Sequence, residues 1–185
     1  SNAPSLPSSG LWSDAALLVA YWGTNSRGTT ALAVTNAASG MSVTLDSGGS
    51  APLAPVAWEP GTTRLLYRDV TGLVRLADLS CLNSGCGDNP LDNGQPVIPA
   101  TGTDLQFSAG RVIYRDGDRL QMLDLSCSAA GTCMESAQTA ASGLAPDTPI
   151  HGAGSLVAYS IISEDGSTPA VQIADMACQP DCPAL

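Results

Sequence analysis

The amino-acid sequence predicts an all-β fold built from four copies of one strand-rich unit of about 46 residues. The first observation behind this prediction is the spacing of the four tyrosines, because 46, 47 and 45 residues separate Tyr21, Tyr67, Tyr114 and Tyr159. Each tyrosine ends a short apolar run that is typical of a strand. The second observation is the content of 19 glycines and 13 prolines, which favours frequent turns over long helices.

Two further columns of residues keep the same period. The aromatic column precedes the tyrosines and consists of Trp12, Trp58, Phe107 and His151. The Asn/Asp column follows them and consists of Asn36, Asp78, Asp124 and Asp175. The columns divide the chain into repeats at roughly 10–54, 55–104, 105–148 and 149–185. Residues 1–3, Ser-Asn-Ala, are typical of an expression scar, so we expect residues 4–185 to form a single domain.

The second repeat shows the strand pattern most clearly. Four short strands are expected in it, at "PVAW" (55–58), "RLLYRD" (64–69), "LVRLADL" (73–79) and "QPVIPA" (95–100). The prolines of the last segment suit an edge strand, where an unpaired N–H is not missed. In the third repeat, Asp116-Gly117 predicts a tight hairpin. Four antiparallel strands in each unit of this length are typical of the blade of a β-propeller.

The segment "PVAWEPGTTRLLYRD", followed by "GLVRLADL", resembles the TolB-like (WD-repeat-like) propeller repeat. That repeat has a Trp-Ser-Pro-Asp-Gly signature, an apolar strand ending in an aromatic residue, a glycine hairpin and a strand ending in Asp. The matching residues are Trp58, Pro60, Gly61, Tyr67, Gly72 and Asp78. The sequence departs from the pattern at Glu59 and Thr62, and the other three repeats match more loosely. The resemblance implies a propeller fold and a binding role, as in periplasmic scaffolds and sensor ectodomains, rather than a reaction.

The fourth repeat reaches "VQIADMAC" and shows no fourth strand of its own. The segment "PSLPSS" (4–9) resembles "PVIPAT" (96–101), which belongs to the expected fourth strand of the second repeat. We therefore expect residues 4–9 to complete the last blade, because this would remove an exposed strand edge. Part of a larger propeller would give the same pattern, so closure into a four-bladed ring stays open at this point.

The six cysteines form three close pairs, each after an expected third strand in the frame Asp-[Leu/Met]-[Ser/Ala]-Cys. The placement predicts three local disulfides, Cys81–Cys86, Cys127–Cys133 and Cys178–Cys182. A zinc site is disfavoured because zinc needs four clustered ligands, whereas these cysteine pairs fall in separate repeats. A redox site is disfavoured because none of the pairs has the Cys-x-x-Cys spacing. Disulfides imply an oxidising compartment, so we expect an extracellular or periplasmic protein.

Composition excludes some partners. The net charge is −10 and all seven basic residues are arginine, so the surface repels phosphate backbones and nucleic acid is not an expected partner. No run of 18 apolar residues occurs, so no membrane insertion is expected in this segment, although parts outside this chain could tether it to a membrane.

Candidate catalytic groups are few in the sequence. His151 is the only histidine, and we expect it to be packed in a first strand because it falls in the aromatic column. No Gly-x-Ser-x-Gly elbow surrounds it and no pair of carboxylates stands out, so the chain is predicted not to be an enzyme, with no catalytic residue, cofactor or metal. The oxygen-rich segments 88–94 and 163–167 leave calcium as an alternative, although their spacing is not that of an EF-hand.

The length of the central hairpin varies between repeats. From the tyrosine to the Asn/Asp column, repeats two and three span 11 and 10 residues, whereas repeats one and four span 15 and 16. The long hairpins, 21–31 and 159–170, are the candidate binding surface, because loops on a rigid scaffold carry much of binding. The candidate binding residues there are Trp22, Arg27, Ile161, Glu164 and Asp165. The alternative is that both hairpins are tolerated insertions.

These observations predict a non-enzymatic extracellular or periplasmic binding or scaffold domain. It would be the ectodomain or sensor module of a larger protein, with a protein or a small extracellular ligand as its partner. A carbohydrate- or calcium-dependent binding module is the alternative, and a hydrolase is the third candidate.

Overall fold

The computed structural model describes residues 10–24, 29–48, 54–84, 94–108, 110–126, 133–163 and 168–177. These residues form an all-β structure of antiparallel sheets, as the sequence predicts. The chain divides into two compact units, residues 1–100 and 101–185, and each unit contains two sheets. The segment 4–9, predicted to complete the last blade, lies outside the described residues.

Unit 1 contains two four-stranded sheets in which the strands follow one another in sequence order. Sheet 1 consists of β1 (Leu11–Trp12), β2 (Leu18–Thr24), β3 (Thr30–Asn36) and β4 (Ser42–Ser47). Sheet 2 consists of β5 (Ala54–Trp58), β6 (Arg64–Arg68), β7 (Val74–Asp78) and β8 (Gln95–Ile98), with a one-turn helix α1 (Cys81–Ser84) after β7. Each sheet is therefore a meander, as expected of a strand-turn-strand repeat.

Unit 2 contains one four-stranded and one three-stranded sheet within the described residues. Sheet 3 consists of β9 (Gly102–Ser108), β10 (Arg111–Asp116), β11 (Arg119–Asp124) and β12 (Gln138–Ser142), with a 3-10 helix at Cys133–Glu135 before β12. Sheet 4 consists of β13 (His151–Ala153), β14 (Leu156–Ile162) and β15 (Pro169–Asp175). The outer edge of β15 pairs with no other described strand.

The four tyrosines lie at one equivalent place, in the second strand of each sheet, and all four are buried. Period-two alternation gives each sheet a tyrosine face and a reverse face, the latter bearing the residue before the tyrosine. Burial raises the pKa of Tyr114 to about 12, and the charge of Asp116 acts in the same direction. The tyrosine column of the sequence therefore marks the central strand of each sheet.

The two sheets of each unit pack with the same polarity. In unit 1, the reverse face of sheet 1 joins the tyrosine face of sheet 2 in one apolar core, formed by Leu18, Ala20, Leu32, Val34, Leu45, Trp58, Leu65, Tyr67, Ala77, Leu79 and Leu82. In unit 2, the reverse face of sheet 3 joins the tyrosine face of sheet 4, with Ile113, Leu120, Met122, Leu144, Ile150, Val157, Tyr159 and Met176. Burial of apolar side chains between the sheets is the main stabilising contribution in both units.

The Asn/Asp column forms the same local turn in every sheet. The side-chain oxygens of Asn36, Asp78, Asp124 and Asp175 each accept a hydrogen bond from the backbone N–H two residues later, at 2.9–3.0 Å. These are Asx turns, which end a strand and redirect the chain. The next residue in the last three sheets, Leu79, Leu125 or Met176, is fully buried. The repeated frame Asp-[Leu/Met]-[Ser/Ala] therefore encodes a strand end and a core anchor.

The aromatic column is less uniform than the sequence suggests. His151 is exposed, so the prediction that it packs in the core is wrong. In sheets 1 to 3, the aromatic residue of the first strand pairs with the residue two positions before the tyrosine. In sheet 4 the residue two positions before the tyrosine is Val157, and its partner in the first strand is Gly152. Gly152 is thus the true equivalent, and His151 points to the other face.

Two further details differ from the expected positions. Trp12 is exposed, whereas Trp58 is buried and its indole N–H donates to the carbonyl of Leu11 at 2.9 Å. The hairpin turn of sheet 3 consists of Gly117 and Asp118, because Asp116 still pairs with Arg119 in the ladder. Gly117 has a φ of 62°, the left-handed conformation that a two-residue hairpin requires.

Candidate functional site

The exposed tryptophan Trp22 lies near the end of β2, where the long hairpin of the first repeat begins. It follows Leu18 and Ala20 on the reverse face of sheet 1, and both of those side chains are fully buried in the core. Trp22 itself is 52% exposed. The apolar row of β2 therefore continues beyond the core and places a large aromatic side chain in solvent at the hairpin end of unit 1.

A turn of sheet 2 lies close to the same end of sheet 1. Trp22 pairs with Leu32 across the strands, and Leu32 pairs with Asp46 of β4. The Asp46 carboxylate accepts a hydrogen bond at 3.0 Å from the backbone N–H of Val70, which lies in the turn between β6 and β7. The hairpin ends of sheets 1 and 2 are thus linked, and a carboxylate lies in the same cross-strand row as the exposed indole.

The turn that contains Val70 is held by hydrogen bonds to a buried carboxylate. Asp69 accepts hydrogen bonds from the hydroxyl and N–H of Thr71, at 2.6 and 2.8 Å, and from the N–H of Leu73 at 3.1 Å. Its second oxygen pairs with Nε of Arg75 at 2.5 Å, and Arg75 also donates to the carbonyl of Gly94. Burial alone would raise the pKa of the Asp69 carboxyl, but the hydrogen bonds from Thr71 and Arg75 outweigh it and lower the pKa.

The remaining predicted binding residues are placed as follows. Arg27, Glu164 and Asp165 lie outside the described residues. Ile161 lies on β14 of unit 2, where it is half-buried against the core and pairs with Leu144 in an isolated bridge. Trp22 and Ile161 belong to different units, and the structure places each within its own unit only.

A second polar cluster forms where the sequence departs from the TolB-like signature. Glu59 is buried and forms an ion pair with Arg64. Its carboxylate also accepts a hydrogen bond from the hydroxyl of Thr62 at 2.9 Å. The Thr62 hydroxyl oxygen in turn accepts the backbone N–H of Arg64 at 3.1 Å. Glu59 and Thr62 therefore act together with Arg64 to close the turn between β5 and β6.

The equivalent arginines of the second and third repeats are also engaged within their units. Arg115 is buried, and its guanidinium donates to the carbonyls of Ala145 and Thr148 and pairs with Asp104. Arg68 donates to the carbonyls of Gly72 and Ala100. These arginines connect loops to strands within their own units, so their positions give no support to a repeated arginine contact with a partner.

Cys81 and Cys133 are both disulfide-bonded, while Cys86, Cys127, Cys178 and Cys182 lie outside the described residues, so the three predicted pairings stay predictions.

Among the described residues there is no group of three or more His, Cys, Asp or Glu side chains able to hold a metal ion. The oxygen-rich segments 88–94 and 163–167 lie largely outside those residues. No helix in the described part of the chain is long and apolar enough to cross a bilayer.

No protein-family model matches the chain, and no curated protein is significantly similar to it.

Proposed function

We propose that the four sheets are blades of a β-propeller and that the repeat is of the TolB-like type. Three features of the described residues support this proposal. The sheets are meanders in sequence order, each has its tyrosine at one position, and sheets in both units stack reverse face to tyrosine face. The segment 4–9, as the fourth strand of the last blade, is part of the same proposal.

We propose further that the domain is a non-enzymatic binding or scaffold module outside the cytoplasm, acting as the ectodomain or sensor module of a larger protein. The observation that carries this proposal is Trp22, an indole half in solvent on a strand whose preceding residues are fully buried. Large aromatic side chains held by a rigid scaffold are frequent anchors of binding. The turn around Asp69 supports the same end of unit 1, because the backbone N–H of Val70 in that turn donates a hydrogen bond to Asp46 of sheet 1.

The use of the polar residues supports binding over catalysis. Glu59, Asp69 and Arg115 are the buried charged groups of the described residues, and each takes part in internal hydrogen bonds that hold a turn or a loop. His151 pairs across the sheet with Ala158, which pairs with Ile173, so its cross-strand row is apolar. This environment gives no support to a serine or carboxylate partner for that imidazole.

A location outside the cytoplasm is proposed because of the cysteines. Cys81 follows the Asx turn of sheet 2, and Cys133 begins the 3-10 helix before β12, so both come after the third strand of a sheet. Disulfides between the third and fourth strands of these sheets would persist in an oxidising compartment. Each short loop closed in this way would stabilise the fold by about 2 kcal/mol.

A direct test of the binding face uses Trp22→Ala. The intact protein is screened against an array of defined extracellular proteins and oligosaccharides, and the affinity for each ligand found is compared between variants. We expect Trp22→Ala to weaken binding by at least about tenfold, because truncating an aromatic anchor at a binding hot spot costs about 2 kcal/mol or more. Met134→Ala, which removes another exposed apolar side chain, is the matched control and should leave the affinity unchanged. A ligand that binds wild type and Trp22→Ala equally would exclude this face.

Carbohydrate binding is the second candidate function, because Asp46 lies in the cross-strand row of Trp22. An indole face and a nearby carboxylate are suited to the apolar face and the hydroxyl groups of a sugar. The same array separates the candidates: oligosaccharide ligands that lose affinity in Trp22→Ala favour this function, whereas protein ligands favour the first.

A further inference from the structure

The first strand of sheet 4, β13, is an exposed edge strand. Its three residues, His151, Gly152 and Ala153, are all exposed, and on one side they pair with β14. On the other side β13 pairs with no described strand. Two of its residues are small, so side chains give the edge little steric protection. An edge of this kind can accept a further strand through its outward backbone groups.

The side chain of Gln106, in β9 of sheet 3, occupies two of these outward groups. Its Nε2–H donates to the carbonyl of Ile150, and its Oε1 accepts the backbone N–H of Gly152. An added strand would use the same two groups, because alternate residues of an antiparallel strand direct their backbone groups to one side. A third outward group, the carbonyl of Gly154, accepts the hydroxyl of Ser108 at 2.9 Å. The Gln106 carboxamide therefore takes the place of one peptide group of an adjacent strand.

Gly152 gives this carboxamide the room that it needs. A Cβ at position 152 would lie 2.8 Å from Oε1 of Gln106. In the other three sheets the position equivalent to Gly152 holds an aromatic residue, Trp12, Trp58 or Phe107. Sheet 4 thus departs from the aromatic column at the position where a side chain would displace the Gln106 carboxamide.

We propose that Gln106 closes the exposed edge of β13 against strand addition by a second copy of the chain, and that position 152 is glycine because it admits the Gln106 carboxamide. A second copy could pair with this edge only after the carboxamide had released the Ile150 carbonyl and the Gly152 N–H. All of these residues belong to unit 2. The proposal goes beyond the proposed binding function, and it does not depend on Trp22 or on any ligand.

Hydrogen exchange of the Gly152 amide in the intact protein measures the contact. In Gln106→Ala this amide loses its acceptor, so its exchange should become about tenfold faster than in the wild type. The amide of His151 faces β14 by alternation, so its exchange should not change. Gln138→Ala, which truncates an exposed glutamine of sheet 3, is the matched control and should alter neither amide. Equal exchange of the Gly152 amide in wild type and Gln106→Ala would overturn the proposal.

Light scattering over a range of protein concentrations tests the closure of the edge. The mass of Gln106→Ala should rise with concentration more steeply than that of the wild type, whereas Gln138→Ala should follow the wild type. Gly152→Ala opens the edge from the opposite side, by displacing the carboxamide, and it keeps the test available if Gln106→Ala does not fold.

The double variant Gln106→Ala/Gly152→Ala tests whether the two residues act as a pair. It should associate no more than Gln106→Ala alone, because the added Cβ then has no carboxamide to displace. Additive effects of the two substitutions would contradict the pairing of Gln106 with Gly152. If Gln106→Ala and Gly152→Ala keep the wild-type mass at every concentration, Gln106 does not close this edge.

Discussion

Replacing Asp69 with alanine is expected to lower the free energy of unfolding by about 3 kcal/mol. The carboxylate is buried, accepts hydrogen bonds from Thr71 and Leu73, and pairs with Arg75. Its removal leaves the backbone donors of the turn and the partly buried Arg75 guanidinium without this acceptor, which costs more than the net value of the contacts themselves. Since single domains are stable by only 5–15 kcal/mol, chemical denaturation should resolve the change readily.

The matched control for this variant is Asp116→Ala. Asp116 occupies the equivalent position, two residues after the tyrosine of sheet 3, but it is only half-buried. Its loss should cost less than about 1 kcal/mol, as for an exposed charge. Equal losses of stability in the two variants would contradict the assignment of Asp69 as the residue that holds the turn.

The Asp69 variant should also change the response of the protein to acid. The pKa of Asp69 in the folded protein lies below its ordinary value of 3.8, so the ionised carboxylate contributes stability that is fully present above that value. The contribution is lost as the pH falls through the lower folded pKa. The difference in unfolding free energy between wild type and Asp69→Ala should therefore shrink below about pH 4. A difference that is constant down to the acid limit would show that the ionised form does not matter.

Replacing Gly94 with alanine is expected to cost about 3 kcal/mol. Gly94 directly precedes β8 and has a φ of 68°, which strains any residue that carries a Cβ. A Cβ at this position would lie 2.6 Å from the carbonyl oxygen of Leu76, and backbone of a central strand cannot move aside cheaply. The substitution must therefore displace β8 from β7, and it should also weaken the hydrogen bond from Arg75 to the Gly94 carbonyl.

Gly117→Ala separates the two causes of this loss. Gly117 has a similar φ of 62°, but a Cβ there would meet no atom within 4 Å. Its replacement should cost about 1 kcal/mol, the conformational part alone. Thermal or denaturant unfolding of both variants measures the difference. If Gly94→Ala is no more destabilising than Gly117→Ala, the close approach of β8 to Leu76 is not present in solution.

Much of the strand order could be predicted from the sequence, because the tyrosines and the Asn/Asp column each have one physical role. A tyrosine in the central strand of a sheet is buried between sheets. An Asn or Asp at a strand end accepts a hydrogen bond from the backbone N–H two residues later, which forms an Asx turn. The aromatic column was misleading at His151, since a shift of one residue in a strand exchanges its two faces. Pairing of Val157 with Gly152, rather than sequence spacing, determines that register.

The site was only partly predictable. The length of the first hairpin indicated Trp22, and exposure of that side chain agrees with its being a candidate. Nothing in the sequence showed that Asp69 and Arg115 would be buried, because their partners are backbone groups and residues of other strands. The exposure of the apolar face of sheet 4 could not be predicted either. Alternating apolar residues such as Val171 and Ile173 occur both on strand faces in a core and on strand faces in solvent.

The central claim is that each unit is a pair of sheets stacked reverse face to tyrosine face. Nuclear Overhauser effects between methyl groups and tyrosine rings measure this most directly. The account predicts cross-peaks from the Tyr67 ring to methyl groups of sheet 1, such as those of Leu18 and Ala20, and from the Tyr159 ring to the Ile113 methyls of sheet 3. Cross-peaks confined to the sheet of each tyrosine would contradict the stacking, and with it the proposal that the four sheets are blades.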